Sequence, residues 1–402
     1  MVDLLKTVAV MAVIVVLLRR KVSMSAVMPL GALMLGILYL TPPLQFLKAT
    51  AVAIFDPKSL EMTLTLMLTM VMENILRTTG MLKRMVSSLS TAIPDRRIVM
   101  AALPAMIGML PSPGGAVFSA PMVEEASGDA DMAPEQKALI NYWYRHIWEY
   151  VSPLYPGIIL AAGVTGLSTQ TLFAVNLPFA LSVVAWGALF CFRGVGRQET
   201  RPSSAGRYSE FLTFLTMVSP IVLALLLVVI FRVNAVIALG GAVITLYGFQ
   251  RYTPAMIVKN LRESISGKAL FMVIGIMIFQ EVLRTTGALA GISTFFTVSH
   301  MPVYLLLFLI PFVAGIMTGL TVGYVGITFP LLLPLMGTPA PSPALVALAF
   351  GSGFAGVMLS PVHLCYVLTC EYFQADIAMV YHRLFLPSAC VMAAVLIPLY
   401  FW

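Results

Sequence analysis

The chain has 402 residues, of which 60% are hydrophobic and only 10% charged, with 24 Lys and Arg against 17 Asp and Glu for a net charge of +7. So few charges cannot cover so much apolar surface in water, which excludes a soluble globular domain and identifies an integral membrane protein. The apolar runs lack the short alternating segments of a barrel, so helices are expected, and the excess positive charge fits cytoplasmic loops, not nucleic-acid binding.

The first apolar run, 4–18, ends in Arg19-Arg20-Lys21 without a small-x-small cleavage site and reads as a retained span. Spans at 22–40 and 60–76 follow, the latter closing on ENILRTTG from Glu73 to Gly80. LRTTG reads as structural: Thr-Thr-Gly turns the chain into an amphipathic surface helix. The next apolar segment, 97–124, is shorter than the roughly 40 residues that two crossings need. Its centre, Pro111-Ser112-Pro113-Gly114-Gly115, cannot continue a helix, so a re-entrant hairpin is expected. A fourth span, 138–166, is interrupted at Ser152-Pro153, and a fifth covers 171–192. The Arg-, Ser- and Gly-rich stretch 193–210 is a linker. Spans at 211–231, 234–249 and 270–283 open the second half, the last closing on QEVLRTTG from Gln280 to Gly287. The segment 302–335 breaks at Met317-Thr318-Gly319-Leu320-Thr321, and spans at 344–370, interrupted at Ser360-Pro361, and 377–402 complete the chain.

The two LRTTG copies lie 207 residues apart, and the same offset puts Pro104 on Pro311 and Gly108 on Gly315. An offset of 208 puts Ser152-Pro153 on Ser360-Pro361. The expected fold is therefore an all-α polytopic membrane protein with about ten transmembrane helices and two re-entrant hairpins, in two repeats of five spans. Five crossings per repeat is an odd number, so the second copy is inverted. The first repeat covers 1–192 (scaffold 1–96, transport part 97–192), and the linker covers 193–210. The second repeat covers 211–402 (scaffold 211–300, transport part 301–402). Arg and Lys cluster on one side of the alternating spans, at Arg19, Arg20, Lys21, Lys83, Arg84, Arg96, Arg97 and the linker, while the other keeps Lys6, Lys48, Lys58, Arg232 and Arg284. That assigns the first side to the cytoplasm, both termini to the outside, and the chain to the cytoplasmic membrane.

A helix broken inside a membrane exposes backbone polar groups that must face protein or a wet cavity. Four breaks are expected, and inverted symmetry brings them to one depth. Ser152 and Ser360 read as N-caps with proline at the first helical position, and half-helix N-termini favour an anion while free carbonyls favour a small cation. Candidate solute- or ion-binding residues are Ser112, Gly114, Gly115, Ser152, Thr318, Gly319, Thr321, Ser360 and His363, with Glu149 as a possible proton carrier. Against that stands a pairing of Glu149 with Arg145 at an interface, inside an aromatic belt of Trp143, Tyr144, Trp148 and Tyr150. The four cysteines, Cys191, Cys365, Cys370 and Cys390, show no metal-ligand spacing and read as packing residues. There is no His-Glu-x-x-His motif and no convincing acidic pair, so no enzyme is expected.

The duplicated pattern of hairpins and interrupted spans resembles the ion transporter superfamily of citrate, dicarboxylate and gluconate permeases, arsenite permeases and some sodium/proton antiporters. Through MLPSPGGAVFSAPMV and GLTVGYVGITFPLLLPLM it is most similar to an uncharacterised branch, domain of unknown function 401. The resemblance implies a homodimer in the lipid bilayer, with a scaffold and an elevator-like transport domain. It implies secondary active transport of a small organic anion, a carboxylate, coupled to Na+ or H+; a cation/proton antiporter is the alternative. No cofactor is expected, with Na+ a candidate coupling ion. The dicarboxylate branch uses Ser-Asn-Thr motifs at its hairpin tips, whereas this chain carries Ser112-Pro113-Gly114-Gly115 and Thr318-Gly319-Leu320-Thr321.

Overall fold

A computed structural model describes residues 2–20, 22–109, 115–128, 132–196, 206–288, 301–337 and 340–393. Among them every regular element is helical. In the first half, α1 (Val2–Arg19), α2 (Met24–Leu38), α3 (Pro43–Phe55), α4 (Pro57–Thr78) and α5 (Met81–Ala92) precede the pair α6 (Arg96–Gly108) and α7 (Gly115–Ser127). Then come α8 (Pro134–Arg145), a 3-10 turn at Ile147–Tyr150, α9 (Pro156–Thr165) and α10 (Thr169–Phe190). The second half contains α11 (Arg207–Val229), α12 (Ala235–Phe249), α13 (Pro254–Ser264) and α14 (Gly267–Thr285). It continues with α15 (Val303–Thr318), α16 (Thr321–Leu332), α17 (Pro343–Met358), α18 (Leu364–Phe373) and α19 (Ile377–Ala393). Among the described residues three helices, within α4, α10 and α11, are long and apolar enough to cross a membrane by length and composition. Large apolar side chains on α11 and α12 stay exposed, among them Leu223, Leu226, Ile237 and Ile244, a surface suited to lipid.

Local chemistry explains the boundaries. Gly80 turns the chain with φ of 75°, a conformation that costs side-chain-bearing residues energy, and Gly287 repeats it at 74°. LRTTG is thus a helix stop followed by a left-handed glycine. The helix after the first copy buries Met81, Met85, Ser88 and Leu89 on one face, as its amphipathic pattern requires. At the start of α6 the Asp95 carboxylate accepts from the Arg97 N–H at 3.0 Å. Two helices were not expected from the sequence, α3 and α13. With 13 and 11 residues they measure only about 20 Å or less, and composition alone reads such pieces as loop.

Several helix contacts recur with the halves exchanged. The pair α2–α14 packs as α12–α4 does, α3–α14 as α13–α4, and α1–α2 as α11–α12. Further in, α7–α18 matches α16–α9, α10–α17 matches α19–α8, and α6–α8 matches α15–α17. The helices α9 and α18 begin at residues 156 and 364, and α10 and α19 at 169 and 377, each pair 208 apart. The α6–α8 and α15–α17 contacts are backbone to backbone. A Cβ on Gly108 would lie 2.0 Å from the Arg145 carbonyl oxygen, and one on Gly315 would lie 2.1 Å from that of Gly353. Only hydrogen at these two positions permits the approach.

Candidate functional site

Both interrupted spans break at Ser-Pro. The residues Val151–Tyr155 separate the 3-10 turn from α9, and Leu359–His363 separate α17 from α18. The serines do not cap the helices, contrary to the sequence expectation. Ser152 Oγ accepts from the Leu154 N–H at 3.3 Å and Ser360 Oγ from the Val362 N–H at 3.3 Å. Each hydroxyl holds a tight turn, and the helix starts three to four residues later, with Tyr155 and His363 at the cap positions. Pro156, not Pro153, occupies the first turn of α9. Helix ends inside the protein leave carbonyls needing donors, and neighbouring breaks supply them. Ser360 Oγ donates to the Ile316 carbonyl at 2.6 Å, Tyr142 Oη to Met358 at 2.9 Å, and Trp148 Nε1 to Ala105 at 2.9 Å. The Tyr155 hydroxyl donates to the Gly108 carbonyl.

Three helices begin at a single cavity of about 230 Å³. Pro156 and Gly157 open α9, Thr321 and Val322 open α16, and Leu364 and Cys365 open α18. Gly157 is the point where α9 meets α16, since a Cβ there would lie 2.3 Å from Thr321 Cγ2. Each helix N-terminus carries about half a positive charge and unpaired N–H groups. The side chain of Arg145, only 3% exposed, reaches the same cavity from the end of α8. These positive groups face the Glu149 carboxylate in the same wall.

Within it lies a connected polar cluster. Thr321 Oγ1 donates to Glu149 Oε2 at 2.8 Å. Glu149 Oε1 lies 3.8 Å from His146 Nε2, which lies 3.1 Å from His363 Nε2. The His146 Nδ1–H donates to the Tyr142 carbonyl at 2.5 Å, because a carbonyl can only accept. Both imidazoles are buried. Trp143, Tyr144 and Tyr150 are buried as well, so they form core and not the expected interfacial belt. Trp143 Nε1, for example, donates to the Val183 carbonyl at 2.9 Å.

Of the residues singled out from sequence, Glu149, Gly319, Thr321 and His363 line the cavity together. Ser152 and Ser360 are buried in the adjoining turns, where they hold backbone. Thr318 ends α15 with its hydroxyl donating to the Ala314 carbonyl at 2.8 Å, and Gly319 follows with φ of 61°. Gly115 is the first residue of α7, its carbonyl accepts from Ser119 Oγ at 3.3 Å, and it is not among the residues lining the cavity. Ser112 and Gly114 lie outside the described residues. Tyr155, Cys365 and Met272 also line the cavity without having been foreseen. For Tyr155 and Cys365 the available signal was position, immediately after the two Ser-Pro breaks. A second depression of about 350 Å³ lies at Glu61, Arg232 and Asn234, where Asn234 Nδ2 donates to Glu61 Oε1 at 2.7 Å. It takes in the later turns of α9 but neither Ser-Pro break.

Fold and composition together define a polytopic helical membrane protein. The same fold occurs in the crystal structure of the Alcanivorax borkumensis YdaH transporter, described as having an unusual topology. The two superpose with a TM-score of 0.62 at 13% identity, over 88% of this chain and 87% of that one. By sequence the chain belongs to the family described as "Protein of unknown function (DUF401)", which it matches over residues 3–401. No curated protein matches it by sequence.

Proposed function

We propose that the chain is a secondary active transporter of a small organic anion, a carboxylate, coupled to Na+ or H+. The observation that carries this reading is the convergence of three helix N-termini and the buried Arg145 on one cavity, an arrangement that favours a carboxylate over a neutral or cationic solute. Thr321, Gly319 and His363 contact the solute, and Glu149 sits beside it as the acidic group. The fold shared with a transporter structure is consistent with this.

The packing supports two inverted repeats, since several contacts between helices of the two halves, α2–α14 with α12–α4 and α7–α18 with α16–α9 among them, recur with the halves exchanged. It also supports elevator-type alternating access. Every cavity-lining residue except Met272 belongs to segments 97–192 and 301–402, the proposed moving part, while Met272 lies on α14 of the proposed scaffold. A site carried almost wholly by one body can slide against the other with its contacts intact. The protein works as a homodimer in the cytoplasmic membrane with both termini outside, the orientation that the Arg and Lys distribution favours.

The test is uptake of radiolabelled carboxylates into liposomes holding the purified protein, under imposed Na+ or H+ gradients. Accumulation of one or more carboxylates driven by one of the gradients is expected. Uptake indifferent to both gradients would reject coupled anion transport, and gradient-driven proton movement without any organic solute would replace it with cation/proton antiport.

A further inference from the structure

We propose that His146, His363 and Cys365, completed by Glu149, form a binding site for a divalent transition-metal ion of the zinc type. The inference is independent of which solute, if any, the cavity transports. One ligand atom from each of the first three residues lies within 4.8 Å of the other two. Two imidazole nitrogens, each about 2.0–2.1 Å from a tetrahedral zinc, stand about 3.3 Å apart. His146 Nε2 and His363 Nε2 are 3.1 Å apart, with their rings inclined at 76°. That spacing lets a single ion replace the N···N contact with little movement.

The His146 tautomer is already set for it, whereas His363, the donor in the Nε2···Nε2 contact, must release its Nε2 proton and carry one at Nδ1 as the ion binds. His146 gives its Nδ1–H to the Tyr142 carbonyl, which leaves the Nε2 lone pair directed at the site. A carbonyl-oriented imidazole is the usual outer support of a zinc-bound histidine. Cys365, in the first turn of α18, supplies sulfur, and Glu149 Oε1, 3.8 Å from His146 Nε2, supplies the fourth atom. On binding, the Cys365 thiol releases its proton to solvent. Thiolate and carboxylate then carry two negative charges against the dication, so the liganded set is neutral, one charge above the same residues holding a Glu149 carboxylate and a Cys365 thiol. Two nitrogens and a sulfur select a borderline or soft metal over Ca2+ or Mg2+, which require oxygen.

The experiment titrates purified full-length protein with Co2+ and records the absorption spectrum. One Co2+ per chain is expected, with tetrahedral d–d bands and a thiolate-to-metal charge-transfer band, all displaced by Zn2+. Cys365→Ser should remove the charge-transfer band, whereas Cys370→Ser should leave it intact. His363→Gln should weaken Co2+ binding by at least about tenfold, with elution volume and apparent Tm reporting that each variant is folded. A saturating titration with no charge-transfer band, a band that survives Cys365→Ser, or unchanged affinity in folded His363→Gln would overturn the assignment. The histidines would then be a hydrogen-bonded pair and no more.

Discussion

Replacing Gly315 with alanine tests how tightly the second helix pair is seated. An alanine Cβ there would lie 2.1 Å from the Gly353 carbonyl oxygen and 2.9 Å from the Val357 N–H nitrogen. Ordinary contacts require more than 3 Å, and both neighbours are backbone of α17, so no side chain can rotate away. The helices must separate by about 1 Å, an overpacking strain costing about 1–3 kcal/mol. Gly108→Ala meets the Arg145 carbonyl at 2.0 Å and should behave alike. Gly241, within α12, is the control, because a Cβ there meets nothing within 4 Å. Alanine at a helix interior without steric conflict gains roughly 0.5–1 kcal/mol over glycine. The two kinds of substitution should therefore move the apparent Tm in opposite directions, measured in one detergent at one scan rate because unfolding of such proteins is a kinetic event. Equal Tm for Gly315→Ala and the parent protein would refute the backbone contact. A fall in Gly241→Ala as large as that in Gly315→Ala would refute the steric argument.

Other substitutions probe the breaks. Thr321→Val removes the hydroxyl that donates to Glu149 Oε2, a hydrogen bond to a carboxylate worth about 1.5–3 kcal/mol, so it should lower the apparent Tm, while Thr321→Ser should not. Ser360→Ala strips the Ile316 carbonyl of its 2.6 Å donor and should cost about 1–3 kcal/mol, again read as a lower Tm. The inverted arrangement predicts that cysteines at Gly114 and Leu320 react with impermeant maleimide from opposite sides of the membrane. Labelling of both from one side would contradict it.

Much of this organisation was legible in the chain. The repeated LRTTG and the paired Ser-Pro steps located both span interruptions, and Met317–Thr321 located the break between α15 and α16, because helix breakers act locally and through few residues. Cap register was not legible. Ser-Pro reads as a helix start, yet here the serines close turns and the helices begin at Pro156 and Leu364. Nor could sequence separate Trp143, Tyr144 and Tyr150 as core from the same residues as an interfacial belt, since aromatic rings suit both surroundings and only packing decides. The meeting of His146 with His363 depends on two broken spans from different halves converging. Periodicity carries no such information, whereas the equivalence of the two Ser-Pro breaks gave the depth at which to look.

Whether the converging helix starts form the solute site is tested most directly by an experimental structure of the protein with a transported carboxylate bound. Density for the solute is expected between Arg145, Thr321 and His363, against the first turns of α9, α16 and α18. Density instead in the depression at Glu61, Arg232 and Asn234, with the broken-helix cavity closed, would contradict it.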